Sequence, residues 1–313
     1  MSGGCCMRIR VLLSLSVLAV LFTATVSFGQ VADVCTINPL TSPDVDSTHP
    51  ATKFAIIGVA SNFWGPHPEL PNPPIPTSPA LSMVNNFLTN TTAPVTSTAI
   101  TICHNATSTL KANYNKYDFL FLADGTAGSV GSFPFSYARG VPVVFGYDKD
   151  ISDVSQLIIA PGGISGPSAE ISGLISNSYS VAGNTQYLAL ADPSLAPYGL
   201  ATQKILTPMS TGYPPLTAYP TLFPNIGLTF EKVGTNPGQG YVTSGFVSKG
   251  QICTLQNIVT FVEFTNNEYT LDQTASVIHT SNLTAMGMYS WIQIQRTGPY
   301  WNAFLAGFCY GGV

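Results

Sequence analysis

The chain has 313 residues, of which 11 are Lys or Arg and 15 are Asp or Glu, for a net charge of −4. Charged residues make up 8%, against roughly 25% in an average soluble domain, so no basic stripe exists to neutralise phosphates and a nucleic-acid partner is excluded. Hydrophobic residues at 45% and aromatics at 11% are enough for a buried core and exclude an intrinsically disordered chain. At this length one large domain or two lobes of about 100–150 residues each is expected.

Residues 1–29 have the layout of an export signal. Arg8 and Arg10 precede an apolar run from Val11 to Val26, and the small residues Ser27 and Gly29 bracket Phe28, which predicts cleavage near Gly29. The competing reading is a retained anchor, but the run is shorter than the roughly 20 residues that span a bilayer. The mature chain is therefore expected to be exported, periplasmic or extracellular. Cys35, Cys103, Cys253 and Cys309 remain after cleavage, with no C-x-x-C pair and no His cluster nearby, which argues against structural zinc. One or two disulfides are expected, with three connectivities open. Three Asn-x-Thr sequons occur, at Asn90, Asn105 and Asn282, and they matter only in a eukaryotic secretory pathway.

Short apolar runs then alternate with helical spacings. Lys53 to Ala60 predicts a buried parallel strand opening into Ser61-Asn62-Phe63. Residues 66–79 hold seven prolines and predict an extended loop, and Ala80 to Leu88 predicts a helix. Ala99 to Cys103 predicts a strand leading into a Ser/Thr/Asn cluster at a helix start. Further strands are predicted at 117–124, 141–145 and 186–191, with a helix from Tyr198 to Leu206. The segment 207–226 is again Pro-rich. Helix-like spacing follows at 241–249, a strand-like run at 257–264, and helical spacing of aromatics from Met288 to the C-terminus. The alternation implies an α/β fold with largely parallel sheets.

The chemistry-bearing residues are few. No G-x-S-x-G, G-x-x-x-x-G-K-[ST], H-E-x-x-H or complete G-x-G-x-x-G occurs. Of the four histidines only His104, beside Cys103 at a strand end, suggests a nucleophile pair, and a disulfide role for Cys103 fits the compartment better. Asp118, Asp124 and Asp192 sit at strand borders, where Asp is a common turn or cap residue. What recurs is a strand, a small hydroxyl-bearing loop and a helix, at Ala60-Ser-Asn-Phe63, Asn105-Ala-Thr-Ser108 and Asp192-Pro-Ser-Leu-Ala-Pro-Tyr198. Amides and hydroxyls at such helix starts bind anions without a counter-charged side chain, and several at the carboxyl ends of parallel strands converge on one crevice. Ordinary helix capping is the alternative for each loop taken singly.

Taken together these segments resemble the molybdate-binding periplasmic proteins of ABC importers, within the two-lobed type 2 solute-binding family. Leu188-Ala-Leu-Ala-Asp-Pro-Ser-Leu-Ala-Pro-Tyr-Gly199 is similar to that family's A-[IV]-A-[ND]-P-x-x-A-P-Y-G. Looser matches are Phe54 to Phe63, Thr107-Ser-Thr-Leu110, Asp118 to Asp124, Ala138 to Val144 and Pro299 to Gly311. The resemblance implies a two-lobed α/β fold, with residues 33–138 and 259–313 in lobe 1, 139–258 in lobe 2, and hinge strands near residues 139 and 258. It implies a binding protein without enzymatic activity or cofactor, a monomer that captures a molybdate- or tungstate-like oxyanion for the membrane subunits of an ABC importer. The implied ligand-binding residues are Ser61, Asn62, Thr107 and Ser108 in the first lobe and Tyr198 and Gly240 in the second, with no metal ligands. A Pro-rich loop after Ser61 and the His104-Asn105 pair depart from the family pattern. The alternatives are a secreted protein of the same fold whose cleft serves a surface-interaction or structural role, and a secreted hydrolase.

Overall fold

The computed structural model describes residues 34–37, 54–65, 78–90, 99–146, 188–206, 222–233, 244–255 and 260–313. The export signal, the Pro-rich segment 66–77 and Gly240 lie outside these residues. Eleven strands within them form two mixed sheets.

The first sheet has the order β1-β3-β2-β4-β11-β5, with β1 Val34–Ile37, β2 Phe54–Ala60, β3 Ala99–Asn105, β4 Phe119–Leu122, β5 Ser132–Gly140 and β11 Leu271–Val277. Its centre is parallel, β2 pairing with both β3 and β4. These are the apolar runs legible in the sequence, and β4 is buried throughout, as strands covered on both faces must be. The flanks are antiparallel: β1 on β3, and β11 between β4 and β5. The sheet is thus mixed rather than largely parallel, because the chain leaves it after β5 and re-enters through β11 from the other side.

The second sheet has the order β10-β6-β9-β7-β8, with β6 Pro142–Gly146, β7 Leu188–Ala191, β8 Leu222–Phe223, β9 Ser244–Ser248 and β10 Thr260–Glu263. Again the parallel part, β8-β7-β9, is joined to antiparallel strands, β6 and β10. The chain crosses between sheets at Val141 and returns between Glu263 and Leu271. The helical spacing over 241–249 is overturned: β9 occupies Ser244–Ser248, and only Lys249 starts a helix. Every residue of β9 is buried, and burial between β6 and β7 overrides so short a periodicity.

Helices occupy the strand connections: α1 Ser61–Trp64, α2 Pro79–Asn90, α3 Thr107–Ala112, α4 Pro197–Leu206, α5 Ile226–Glu231, α6 Lys249–Ile252, α7 Leu283–Arg296 and α8 Pro299–Gly307. Their boundaries follow local chemistry. Ser78 Oγ accepts from the Leu81 amide ahead of Pro79, and Asn282 Oδ1 accepts from the amides of Thr284 and Ala285. One apolar cluster packs α2, α7 and α8 on the first sheet through Met83, Phe87, Phe119, Phe121, Met288 and Trp301. A second runs without a break from Leu110 and Leu122 of the first sheet's layer to Phe145, Tyr198, Ile226 and Phe230 of the second's. The two sheets therefore share a core at their junction.

Cys253 and Cys309 form a disulfide, with Cα atoms 5.5 Å apart. It ties the segment after α6, on the second sheet, to the segment after α8, on the first. Cys103 is also disulfide-bonded, and in the backbone register it lies directly opposite Cys35.

Candidate functional site between the two sheets

In the first sheet β2 and β3 run parallel in register, Ala60 beside Asn105, so α1 and α3 begin side by side at the same edge. Their N-caps are Ala60 and Ala106, and neither receives a side-chain cap. Alanine there costs about 1 kcal/mol relative to Ser, Asn or Asp. It leaves first-turn amides without an intrahelical partner. The first helical residues are Ser61 and Thr107, 4% and 3% exposed. Thr107 Oγ1 accepts from the Ala123 amide at 3.1 Å, which fixes the side chain and leaves its proton to donate.

The second sheet presents the same arrangement from the other side. Helices α4, α5 and α6 start beyond the ends of β7, β8 and β9. Unlike α1 and α3, α5 is capped by Asn225, whose Oδ1 accepts from the Leu228 amide at 2.9 Å, and α6 by Ser248 in a capping box with Gln251. Helix α1 packs against both α5 and α6. Gly227 of α5 comes close to Ser61: a Cβ there would lie 3.4 Å from Ser61 Cβ and 4.0 Å from its Oγ. The Ser108 amide donates to the Leu195 carbonyl at 3.3 Å, a direct backbone bond between the two sides.

Five of the six residues singled out in the sequence, Ser61, Asn62, Thr107, Ser108 and Tyr198, thus meet at the junction of the sheets. Gly240 lies outside the described residues. Opposite Ser61 stands the start of α5, Asn225 to Gly227, which the Pro-rich reading of 207–226 concealed. Its local signal is Asn225 two residues after a short apolar strand, an N-cap pattern.

Two of the five have side chains turned into a buried polar chain rather than toward Ser61. Asn62 Nδ2 donates to Gln273 Oε1 at 3.1 Å and to Tyr310 Oη at 3.4 Å, while Tyr310 Oη donates to the Asn62 carbonyl at 2.6 Å. Tyr137 Oη donates to Gln273 Oε1 at 2.8 Å. Gln273 Nε2 and Ser248 Oγ then both donate to Tyr198 Oη, at 2.8 and 2.9 Å, so Tyr198 links the second sheet's helices to β11 of the first. Burial, followed by the neighbouring phenols, raises the pKa of Tyr137 well above its ordinary value. Burial, then the Tyr310 phenol, does the same for Tyr198, and burial for Tyr310. All three are neutral hydroxyls. Gly140, just before the crossing, has no room for a side chain, since a Cβ would lie 2.0 Å from Tyr198 Oη.

Beside this chain a cavity of about 270 Å³ opens between α3, the turn before α4, α4 itself and the return crossing. Lys111 and Lys204 line it from opposite sides, with Asp124 and Glu268, and Ser108 Oγ is buried without a partner among the described residues. Lys111 Nζ donates to Thr126 Oγ1 at 2.9 Å. These lysines carried no motif and passed unnoticed in the sequence.

Other candidates have structural employment. Cys103 is in a disulfide, so no thiolate stands beside His104, whose ring stacks on Trp64 with centroids 4.9 Å apart. Asp118 accepts from the Ile56 amide and contacts His279 Nδ1, Asp124 accepts from Thr126, and Asp192 from Ser194. Among the described residues no three His, Cys, Asp or Glu side chains are grouped to hold a metal ion.

The chain matches no protein-family model, and no curated protein sequence matches it. Solved structures do resemble it. The periplasmic molybdate-binding protein of Azotobacter vinelandii superposes with a TM-score of 0.55 and 18% identity, over 82% of this chain and 98% of that one. The substrate-binding protein of an ABC transporter from Agrobacterium tumefaciens gives a TM-score of 0.55 and 9% identity, over 89% of this chain and 83% of that one. Two mixed sheets flanked by helices, joined by crossings at Val141 and between β10 and β11, have the α/β fold of the two-lobed periplasmic binding proteins.

Proposed function

We propose that this is an exported solute-binding protein that closes its two lobes on a small oxyanion of the molybdate or tungstate class. It performs no chemistry on the ligand and passes it, as a monomer, to the membrane subunits of an ABC importer. The observation that carries this reading is the pair of buried helix starts with alanine at both N-caps, bearing Ser61 and Thr107, with Gly227 of the other side close to Ser61. A fully ionised oxyanion accepts hydrogen bonds and donates none, so amides and hydroxyls suit it and buried carboxylates would not. Lobe closure about the crossings excludes water from those bonds.

Thermal unfolding of the chain from Gln30 onward, with molybdate, tungstate, sulfate, phosphate and neutral metabolites, tests it. A ligand at a hundredfold excess over its Kd adds about 2.7 kcal/mol, so a rise of several degrees is expected with molybdate or tungstate, and its loss in the Ser61→Ala/Thr107→Ala double variant. An unchanged shift in that variant would refute the site. One observation favours the second reading, a cleft kept for a structural or surface role: the Ser108 amide is already spent on Leu195. Absence of a shift with every oxyanion would decide for it.

A further inference from the structure

We propose that the C-terminal segment 309–311 is a strap over the hinge, which the Cys253–Cys309 disulfide fastens so that the two lobes open only narrowly. Two chain crossings join the sheets, at Val141 and between Glu263 and Leu271. The C-terminal segment adds a third connection, made after the chain has completed both lobes. On the first lobe, the Gly311 amide donates to the Arg139 carbonyl at 2.9 Å and the Gly311 carbonyl accepts from the Arg139 amide at 3.0 Å, just before the crossing at Val141. On the second, Cys309 is bonded to Cys253 at the end of α6. The Tyr310 ring rests on the start of that helix, where a Cβ on Gly250 would lie 2.4 Å from Tyr310 Cζ. Helix α6 is itself tied to the crossing, since the Lys249 amide donates to the Val141 carbonyl at 2.8 Å. Consecutive residues of one short segment thus hold both lobes beside the point where the chain passes from one to the other.

These contacts differ in how they respond to a hinge motion. Rotation of lobes is absorbed by a few residues between them, and a hydrogen bond there exchanges its partner for water at small net cost. A disulfide does not yield in that way. Cys253 lies one helical turn past Lys249, so a rotation of about 30° at the crossing, acting over a lever of about 5–6 Å, would carry it about 3 Å. From the observed Cα separation of 5.5 Å, an opening that draws the pair apart by that much leaves the range of about 4.4–6.8 Å that a disulfide spans. The strap therefore stops the lobes short of a wide opening. A narrower range keeps a larger share of ligand-free molecules near the closed form, and apparent affinity scales with that share. The inference rests on the lobe motion of the proposed function and not on which ligand the cleft takes.

The test is the Förster-transfer distance between dyes on azide-bearing residues placed at Lys116 and Lys204, one exposed lysine on each lobe, in the chain from Gln30 onward without ligand. In Cys253→Ser/Cys309→Gly the strap is unfastened, and glycine suits the left-handed backbone that Cys309 holds at φ 59°, so the break adds no strain of its own. A shift to longer distances with a broader distribution is expected in this variant, against one narrow distribution in the parent. The parent in enough urea to match the variant's unfolding free energy is expected to keep its narrow distribution, because lost stability alone does not release the strap. The same distribution in parent and variant would overturn the proposal, as would an equal broadening of the parent in urea. A variant that opens, in a protein that shows no thermal shift with molybdate or tungstate, would keep the strap and remove the oxyanion reading.

Discussion

Tyr198 is a buried phenol that accepts two hydrogen bonds, from Gln273 Nε2 on one lobe and Ser248 Oγ on the other. Its worth lies in what its removal leaves behind. In Tyr198→Phe two buried donors lose their acceptor, and each unsatisfied group costs about 1–3 kcal/mol. An unfolding free energy lowered by that order, read by urea titration, is the expected outcome, whereas a change of no more than a few tenths of a kcal/mol would mean that water reaches the site. The position was legible in the sequence through its A-P-Y-G segment, but as an amide donor at a helix start. That its hydroxyl bridges the lobes depends on Gln273, 75 residues away, and on Gly140, whose missing side chain leaves the space for it.

At the scale of elements, α8 ends in a Schellman arrangement: the Tyr310 amide donates to the Leu305 carbonyl and the Cys309 amide to that of Ala306. The left-handed position there is normally glycine's, but it is held by Cys309 at φ 59°. The disulfide to Cys253 keeps a side chain where the backbone would prefer none. Its closed loop of 56 residues corresponds to about 4 kcal/mol of unfolded-state entropy. Cys253→Ser is therefore expected to lower unfolding free energy by about 2–4 kcal/mol, read by denaturant titration, and reduction of the parent protein, which also opens the Cys103 disulfide, should cost at least as much. The helix starts show the complementary pattern. Where a helix start only needs capping, the sequence supplies Asn225, Ser248 or Asn282. At α1 and α3 it supplies alanine instead.

For the whole molecule, the hydrogen-bonded chain at the lobe junction contains no charged group, and its three phenols are all raised above the ordinary value near 10. Above that pH the unfolded chain has released protons that the folded one retains, so the folded state binds more protons and stability falls with rising pH. The contribution is present in full below pH 10 and is lost as pH climbs through the folded values. Urea midpoints measured from neutral to strongly alkaline pH are expected to stay level and then drop, with a shallower alkaline limb in Tyr198→Phe. A limb unchanged by that substitution would assign the drop to other groups.

The parallel centre of the first sheet, and the hydroxyls at the helix starts of α1 and α3, were determined by the sequence alone. A short apolar run buried on both faces, followed by a small polar residue and a helical spacing, is local information. The tertiary structure decided the rest. It placed the polar-patterned β11 between β4 and β5 and made a strand of Ser244–Ser248. It set α5 opposite Ser61 and paired Cys253 with Cys309. Each of these rests on partners tens to hundreds of residues apart, whose contact follows from how two lobes close on a shared core and leaves no periodicity in the chain.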